Sequence, residues 1–238
     1  MSNYLTFQEF INAEDAEEMA VKLRQQGIPV IIEKNPDLLG QELIGRQYNS
    51  FVALKIPGEK FVEAQQALIT NTSVDIDSVD KNYMLFSLSN EELMDVIAKP
   101  DEWGAYNYNL AHLILNQRSV SIDEQHVGTL QKEHIDVLSQ QRTVDITWLF
   151  LGYFFSGIGI IAGLVDPSLL LLVYGISMLP GILGIIMGAV VLLTKKTLPD
   201  GRSIMSYNAK TRRHGTIMVV IGILSILFAI AIGIAHKA

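Results

Sequence analysis

Apolar and polar positions divide this chain into two unlike halves. From Ile146 to Leu193 the sequence is almost unbrokenly apolar, interrupted at Asp166-Pro167-Ser168, and a second apolar run covers Thr216–Ala235. A helix rises 1.5 Å per residue, so about 20 apolar residues cover the ~30 Å of bilayer hydrocarbon. The pattern therefore predicts three transmembrane helices, at about 146–165, 169–193 and 216–235. Asp-Pro-Ser is a turn signal that would fold the first two into a tight hairpin. Pro180, followed by Gly181, predicts a kink in the second. Gly159-x-x-x-Gly163 and Gly184-x-x-x-Gly188 are candidate helix-packing faces, within the hairpin or between copies.

The front half has shorter periods. Tyr4–Ile11 alternates as a strand would, with Phe7 and Ile11 as candidates for its buried face. Asn12 is placed as an N-cap, and Ala16, Met19, Ala20 and Leu23 recur at helical spacing up to a C-cap at Gly27. Ile28–Glu33 reads as a second strand, Asn35–Asn49 as a polar loop and Ser50–Ile56 as a third strand. A helix over Glu59–Thr70 then turns Phe61, Ala64, Ala67 and Leu68 inward. This βαββα order lays two helices on one face of a small antiparallel sheet. A core of Phe7, Leu23, Ile28, Val30, Phe51, Val52, Leu54 and Leu68 is expected, in a piece ending near Ile69 that folds alone.

Beyond a polar linker, Asn71–Lys81, the run Tyr83–Leu88 is either a fourth strand closing the sheet edge or an extended linker on the helices. Ser89 and Glu92 have capping-box spacing and open a helix over Asn90–Ala98. Asp101–Gly104 reads as a turn and Ala105–Arg118 as a helix. Ser121 and Glu124 repeat the capping-box spacing ahead of a sparse stalk helix reaching Arg142. The expected domains are 1–72, 83–142 and 143–238. The expected fold class is an α+β N-terminal domain, a short helical region and three transmembrane helices.

Several of these residues carry a resemblance. The βαββα order, Ala16-Glu17, Leu23, Gly27-Ile28-Pro29-Val30, the Phe51–Pro57 strand and the Ala64/Ala67-Leu68 helix resemble a small prokaryotic domain family to which signal transduction is ascribed. The likeness covers about residues 4–70 and implies a ferredoxin-like half-fold with no established activity. It is similar in outline to nitrogen-regulatory PII proteins, without matching nucleotide-binding residues. A cysteine-based metal module found beside some relatives has no counterpart in a chain that lacks cysteine.

Charge sharpens the division. The net charge of −7 combines 22 Asp+Glu against 11 Lys+Arg in residues 1–144 with 3 against 7 in residues 145–238. So acidic a front half does not suit nucleic acid. Without cysteine there is no disulfide, thiolate-held metal or thiol nucleophile. Met1–Phe10 has neither the basic nor the apolar region of a signal peptide. Thr194–Gly215 holds Lys195, Lys196, Arg202, Lys210, Arg212 and Arg213 against Asp200 alone. A short loop this basic stays cytosolic, which puts the N-terminal domain inside and the tail at His236-Lys237 outside a cell membrane. The six basic residues are candidate contacts for anionic lipid headgroups.

Little points to catalysis. The spans hold no Asp, Glu, His, Lys or Arg at depth, since Asp145 and Asp166 fall at their ends. The five histidines form no recognised ligand pair; His126 and His134 share a helix face but lie about 12 Å apart along it. No nucleophile elbow, P-loop or dinucleotide fingerprint occurs. Trp103, Tyr106 and Tyr108 form an aromatic group read first as core. No catalytic, cofactor-binding or metal residues are expected. The function expected is a membrane-tethered cytosolic sensing or interaction module without catalytic activity. Its expected contacts are membrane lipid and either a protein partner or a second copy, met through the N-terminal domain. The alternative is an accessory subunit of a transporter or channel, contacting its partner through the spans.

Overall fold

The structure is a computed structural model that describes residues 3–34, 52–165 and 179–235. The described chain is mostly helical, with eight α-helices, a three-stranded sheet and a two-stranded one. That overturns the expected class of an α+β domain followed by three spans. It divides into two compact units, Met1–Ser139 with Thr197–Ser203, and Gln140–Lys196 with Ile204–Ala238.

The first unit opens with β1 (Tyr4–Phe10), α1 (Ala13–Gln25), β2 (Ile31–Lys34), β3 (Val52–Pro57) and α2 (Phe61–Asn71). The strands run antiparallel in the order β1-β3-β2, from Tyr4 opposite Pro57 to Phe10 opposite Val52. Between Thr6 and Gln8 the register slips by one residue. A bulge reverses the alternation, so Leu5 and Phe7 but then Phe10 meet the core. Ile11, expected inside, is 65% exposed for this reason. Leu23, Ile28, Leu54, Ile56 and Phe61 form the buried centre, and Phe7 meets the Phe61 ring edge-on. Gly27, at φ +76°, ends α1: Ile28 N donates to Leu23 O and Gly27 N to Arg24 O. That is the paired closure a left-handed residue permits. Asn12 is extended ahead of α1 but makes no side-chain cap bond; its amide donates to Asp15 instead. The loop 35–49, Ser50 and Phe51 lie outside the described residues.

A second core in the same unit is built by α3 (Asn90–Ala98), α4 (Pro100–Gln117) and α5 (Glu124–Ser139) around Leu85, Leu93, Ile97, Leu110 and Leu115. The Ser89–Glu92 capping box is formed in both directions. Tyr83–Leu88 neither extends the sheet nor runs extended: Met84–Ser87 is a 3-10 turn that drives Leu85 into the core. The Arg118 guanidinium donates to Phe86 O and Leu88 O, meeting carbonyls the turn leaves free. The second capping box is absent; α5 starts later, with Asp123 Oδ1 accepting from Gln125 N, and stops at Ser139 rather than continuing to Arg142. Asn109 ties the two cores, its amide donating to Ile69 O and Thr72 O.

The second unit holds α6 (Ile146–Val165), α7 (Leu179–Leu193) and α8 (Ala209–Ala235). Between α7 and α8 the chain turns through β4 (Lys195–Thr197) and β5 (Ser203–Met205). Asp145 Oδ1 caps α6 at Thr147 N, and this bond holds the Asp145 carboxyl below the ordinary carboxylate range. Asn208 Oδ1 caps α8 at Thr211 N. The expectation of three spans is corrected here. Among the described residues one helix, Ala209–Ile232, is long and apolar enough to cross a membrane. The apolar stretches of α6 and α7 that count within the described residues are shorter, Ile146–Ile161 and Pro180–Leu193. The described part of α7 has 15 residues, a rise of about 22 Å. The turn at Asp166-Pro167-Ser168 and the rest of the expected second span lie outside the described residues. The expected kink at Pro180 falls at the edge of the described residues, since those just before Leu179 lie outside them.

Candidate functional site

The first unit contains an open groove of about 760 Å³ between its two cores. Phe7 of β1, Met19 of α1, Phe61 and Leu68 of α2, Trp103 of α4 and Leu138 of α5 supply its apolar wall. Asp15, Glu18, Asp101 and Glu102 line it with negative charge, and Lys22 with positive. Lys22 is already engaged, donating to Glu18 at 2.7 Å.

The acidic end depends on how α4 begins. Pro100 occupies its first helical position, where φ is preset and no N–H is wanted. Asp101 and Glu102 follow in the first turn, favoured there by the helix dipole. Gly104, at φ +75° and ψ 166°, then breaks the helix; the expected turn survives as a kink within a longer element. Gln65 of α2 donates to Pro100 O at 3.2 Å and fixes the turn against the first core. From α5, His134 comes back onto it. Its Nε2 lies 3.0 and 3.2 Å from the two Asp101 oxygens and 3.8 Å from Glu102 Oε1. His134 is 9% exposed, while His126 on the same helix is exposed, so the shared face read from their spacing is not one environment. A smaller cavity of about 180 Å³ also opens on Asp101 and His134, from the side of Tyr108 and Gln131.

Nearby titratable groups are set by ordinary causes. The Asp95 carboxylate, 2.8 Å away, raises the Lys99 ammonium above the usual lysine range. Burial pushes the Tyr108 phenol up and the His112 imidazole down; these two rings pack with centroids 4.6 Å apart. Of the aromatic group, Trp103 and Tyr108 pack against the second core, while Tyr106 stays 42% exposed beside Tyr83.

The six candidate lipid contacts are not equivalent. Arg202 belongs to the first unit, at the hairpin tip, and pairs with Asp200. Lys196 donates to Gln140 O at 2.6 Å. Lys195, Lys210 and Arg213 are exposed, and Arg212 is half-buried. Of the glycines, Gly184 lies where a Cβ would strike Ser156 of α6, and Gly188 where it would come 2.6 Å from Gly215 O of α8. Gly159 is buried in α6; the surroundings of Gly163 lie outside the described residues. The meeting of Asp101, Glu102 and His134 escaped the sequence, since residues 33 apart share no local pattern. Tyr153 and His214, whose hydroxyl and Nδ1 lie 2.8 Å apart between α6 and α8, escaped for the same reason. No family model, curated protein or solved structure matches the chain.

Proposed function

We propose that this chain is a membrane-tethered cytosolic sensing or interaction module without catalytic activity of its own. The observation that carries the reading is α8 and its start. Only 22% of its most apolar window is buried inside the protein, so most of that surface needs a solvent other than water. Lys210, Arg212 and Arg213 stand in its first turns, with Lys195 and Lys196 shortly before. Positive charge at one end of a span holds that end in the cytosol, and with it the acidic N-terminal unit. The remaining apolar faces of the second unit, Phe150, Phe154 and Ile161 on α6 and Ile186 and Val190 on α7, also suit lipid or a membrane partner. The likeness of residues 4–70 to a signal-transducing domain family favours sensing, and the groove of the first unit offers a surface for it.

The test is photo-crosslinking in native membranes, with the probe placed at Gln8, Thr72 or Leu138 in the groove and at Leu227 on α8. Capture of a stable protein from the groove positions is the expected result. Capture from Leu227 alone favours the alternative of an accessory subunit. If the purified protein turns over a metabolite, and loses that activity when Tyr106, Tyr108 or His112 is changed, the non-catalytic reading fails.

A further inference from the structure

We propose that Asp101, Glu102 and His134 bind a divalent transition-metal ion of the zinc type. The three donors come from two helices, and their ligand atoms all lie within 4.8 Å of one another. Zinc holds imidazole nitrogen and carboxylate oxygen at roughly 2.0–2.2 Å, which puts neighbouring donors about 3.3 Å apart in a tetrahedron. His134 Nε2 and the Asp101 oxygens already stand at 3.0 and 3.2 Å, and Glu102 Oε1 is 3.8 Å away.

A plain structural bond explains this arrangement less well. One Nε2–H donates well to one oxygen, whereas here three carboxylate oxygens from two acids converge on a single nitrogen. Two adjacent carboxylates repel one another, and a cation between them relieves that repulsion. Lys99 bonds Asp95 at 2.8 Å and reaches Asp101 and Glu102 through its charge alone, without an ion pair to either. The imidazole is buried and arrives from the separate helix α5, so it is not a surface side chain that drifted onto an acidic patch. Both cavities open on Asp101, which leaves room for water to complete the coordination. One nitrogen and two carboxylates suit zinc or manganese better than calcium, which takes oxygen alone. Bound there, the ion would clamp the start of α4 to α5 at the end of the groove.

The test uses the full chain, purified in detergent without a polyhistidine tag, stripped with chelator and titrated with Zn²⁺ by calorimetry. One ion per chain is expected, with micromolar or tighter affinity and a raised melting temperature. His134→Gln and Asp101→Asn should each weaken binding at least tenfold. Glu102→Gln changes a half-exposed side chain and leaves the fold intact, so it tests the site without that risk; it should weaken binding severalfold. Cobalt(II) should give visible ligand-field absorption that His134→Gln abolishes. Absence of stoichiometric binding, or zinc affinity and cobalt spectra unchanged in folded variants, overturns the proposal.

Discussion

His112 is a base with nowhere to put a proton. Its Nε2 is shut off from solvent and has no hydrogen-bond partner among the described residues. Burial, opposed only by the Glu124 charge, pulls its pKa below the ordinary 6.5. Below about 6.5 the unfolded chain therefore takes up a proton that the folded imidazole refuses, and stability falls with pH until the folded group also titrates. His112→Phe removes this penalty. Its denaturation midpoint should fall less than the parent's between about pH 7.5 and 5, across the histidine range. Equal slopes for the two proteins would show that His112 does not titrate this way. Residue-scale features of this kind were half legible. Ser89 and Glu92 announced their box because a cap is made within one turn of chain. Asn12 had the right residue type and still spent its side chain on Asp15. His134 could not be read at all, since it meets Asp101 only once α5 has folded back on α3 beside the start of α4.

Among elements, α8 carries the clearest logic. Its buried positions are Thr211, Gly215, Met218, Gly222 and Ser225, alternating by four and three. On α7 they are Gly181, Gly184, Gly188 and Val191, and on α6 Gly152, Ser156 and Gly159. Small residues at this spacing let helices approach closely, while the large apolar side chains point outward. Ser156 is kept satisfied by donating to Gly152 O at 2.6 Å. Gly188→Val should break this approach, because its Cβ would stand 2.6 Å from Gly215 O, a backbone atom that cannot move aside alone. A loss of about 1–3 kcal/mol is expected, as for overpacked cores. Leu227→Val on the exposed face should change little. Thermal unfolding of both variants in detergent measures the contrast, and equal stability would dismiss the packing argument. The two Gly-x-x-x-Gly pairs were visible in the sequence; the full stripe, with Gly152, Gly215 and Gly222, needed both spacings read together. Tyr83–Leu88 shows the opposite limit. A six-residue apolar run does not choose between strand and turn, and Arg118, 30 residues on, decides it by taking the turn's carbonyls.

For the whole molecule, the sequence pattern expects three spans, whereas among the described residues one helix, Ala209–Ile232, has the length and composition of one. That helix carries basic residues at its N-terminal end. On the proposed reading, orientation should then rest chiefly on Lys210, Arg212 and Arg213, which lie in the first turns of α8. Arg202 and Lys196 should matter less, because Asp200 and the Gln140 carbonyl already occupy them. A reporter active only in the cytosol should work when fused after Ala209 and fail after Ala238. Changing Lys210, Arg212 and Arg213 together to Gln should reduce that preference more than changing Lys196 and Arg202 does. The arithmetic favours a measurable effect, since each basic residue near an anionic surface contributes about 1 kcal/mol. Binding to anionic vesicles, read beside the fusions, separates two roles for these charges. Orientation lost with vesicle binding kept would make them topology signals only. Vesicle binding lost with orientation kept would make them headgroup contacts. A cytosolic signal from the Ala238 fusion would reverse the proposed orientation and remove the acidic unit from the cytosol.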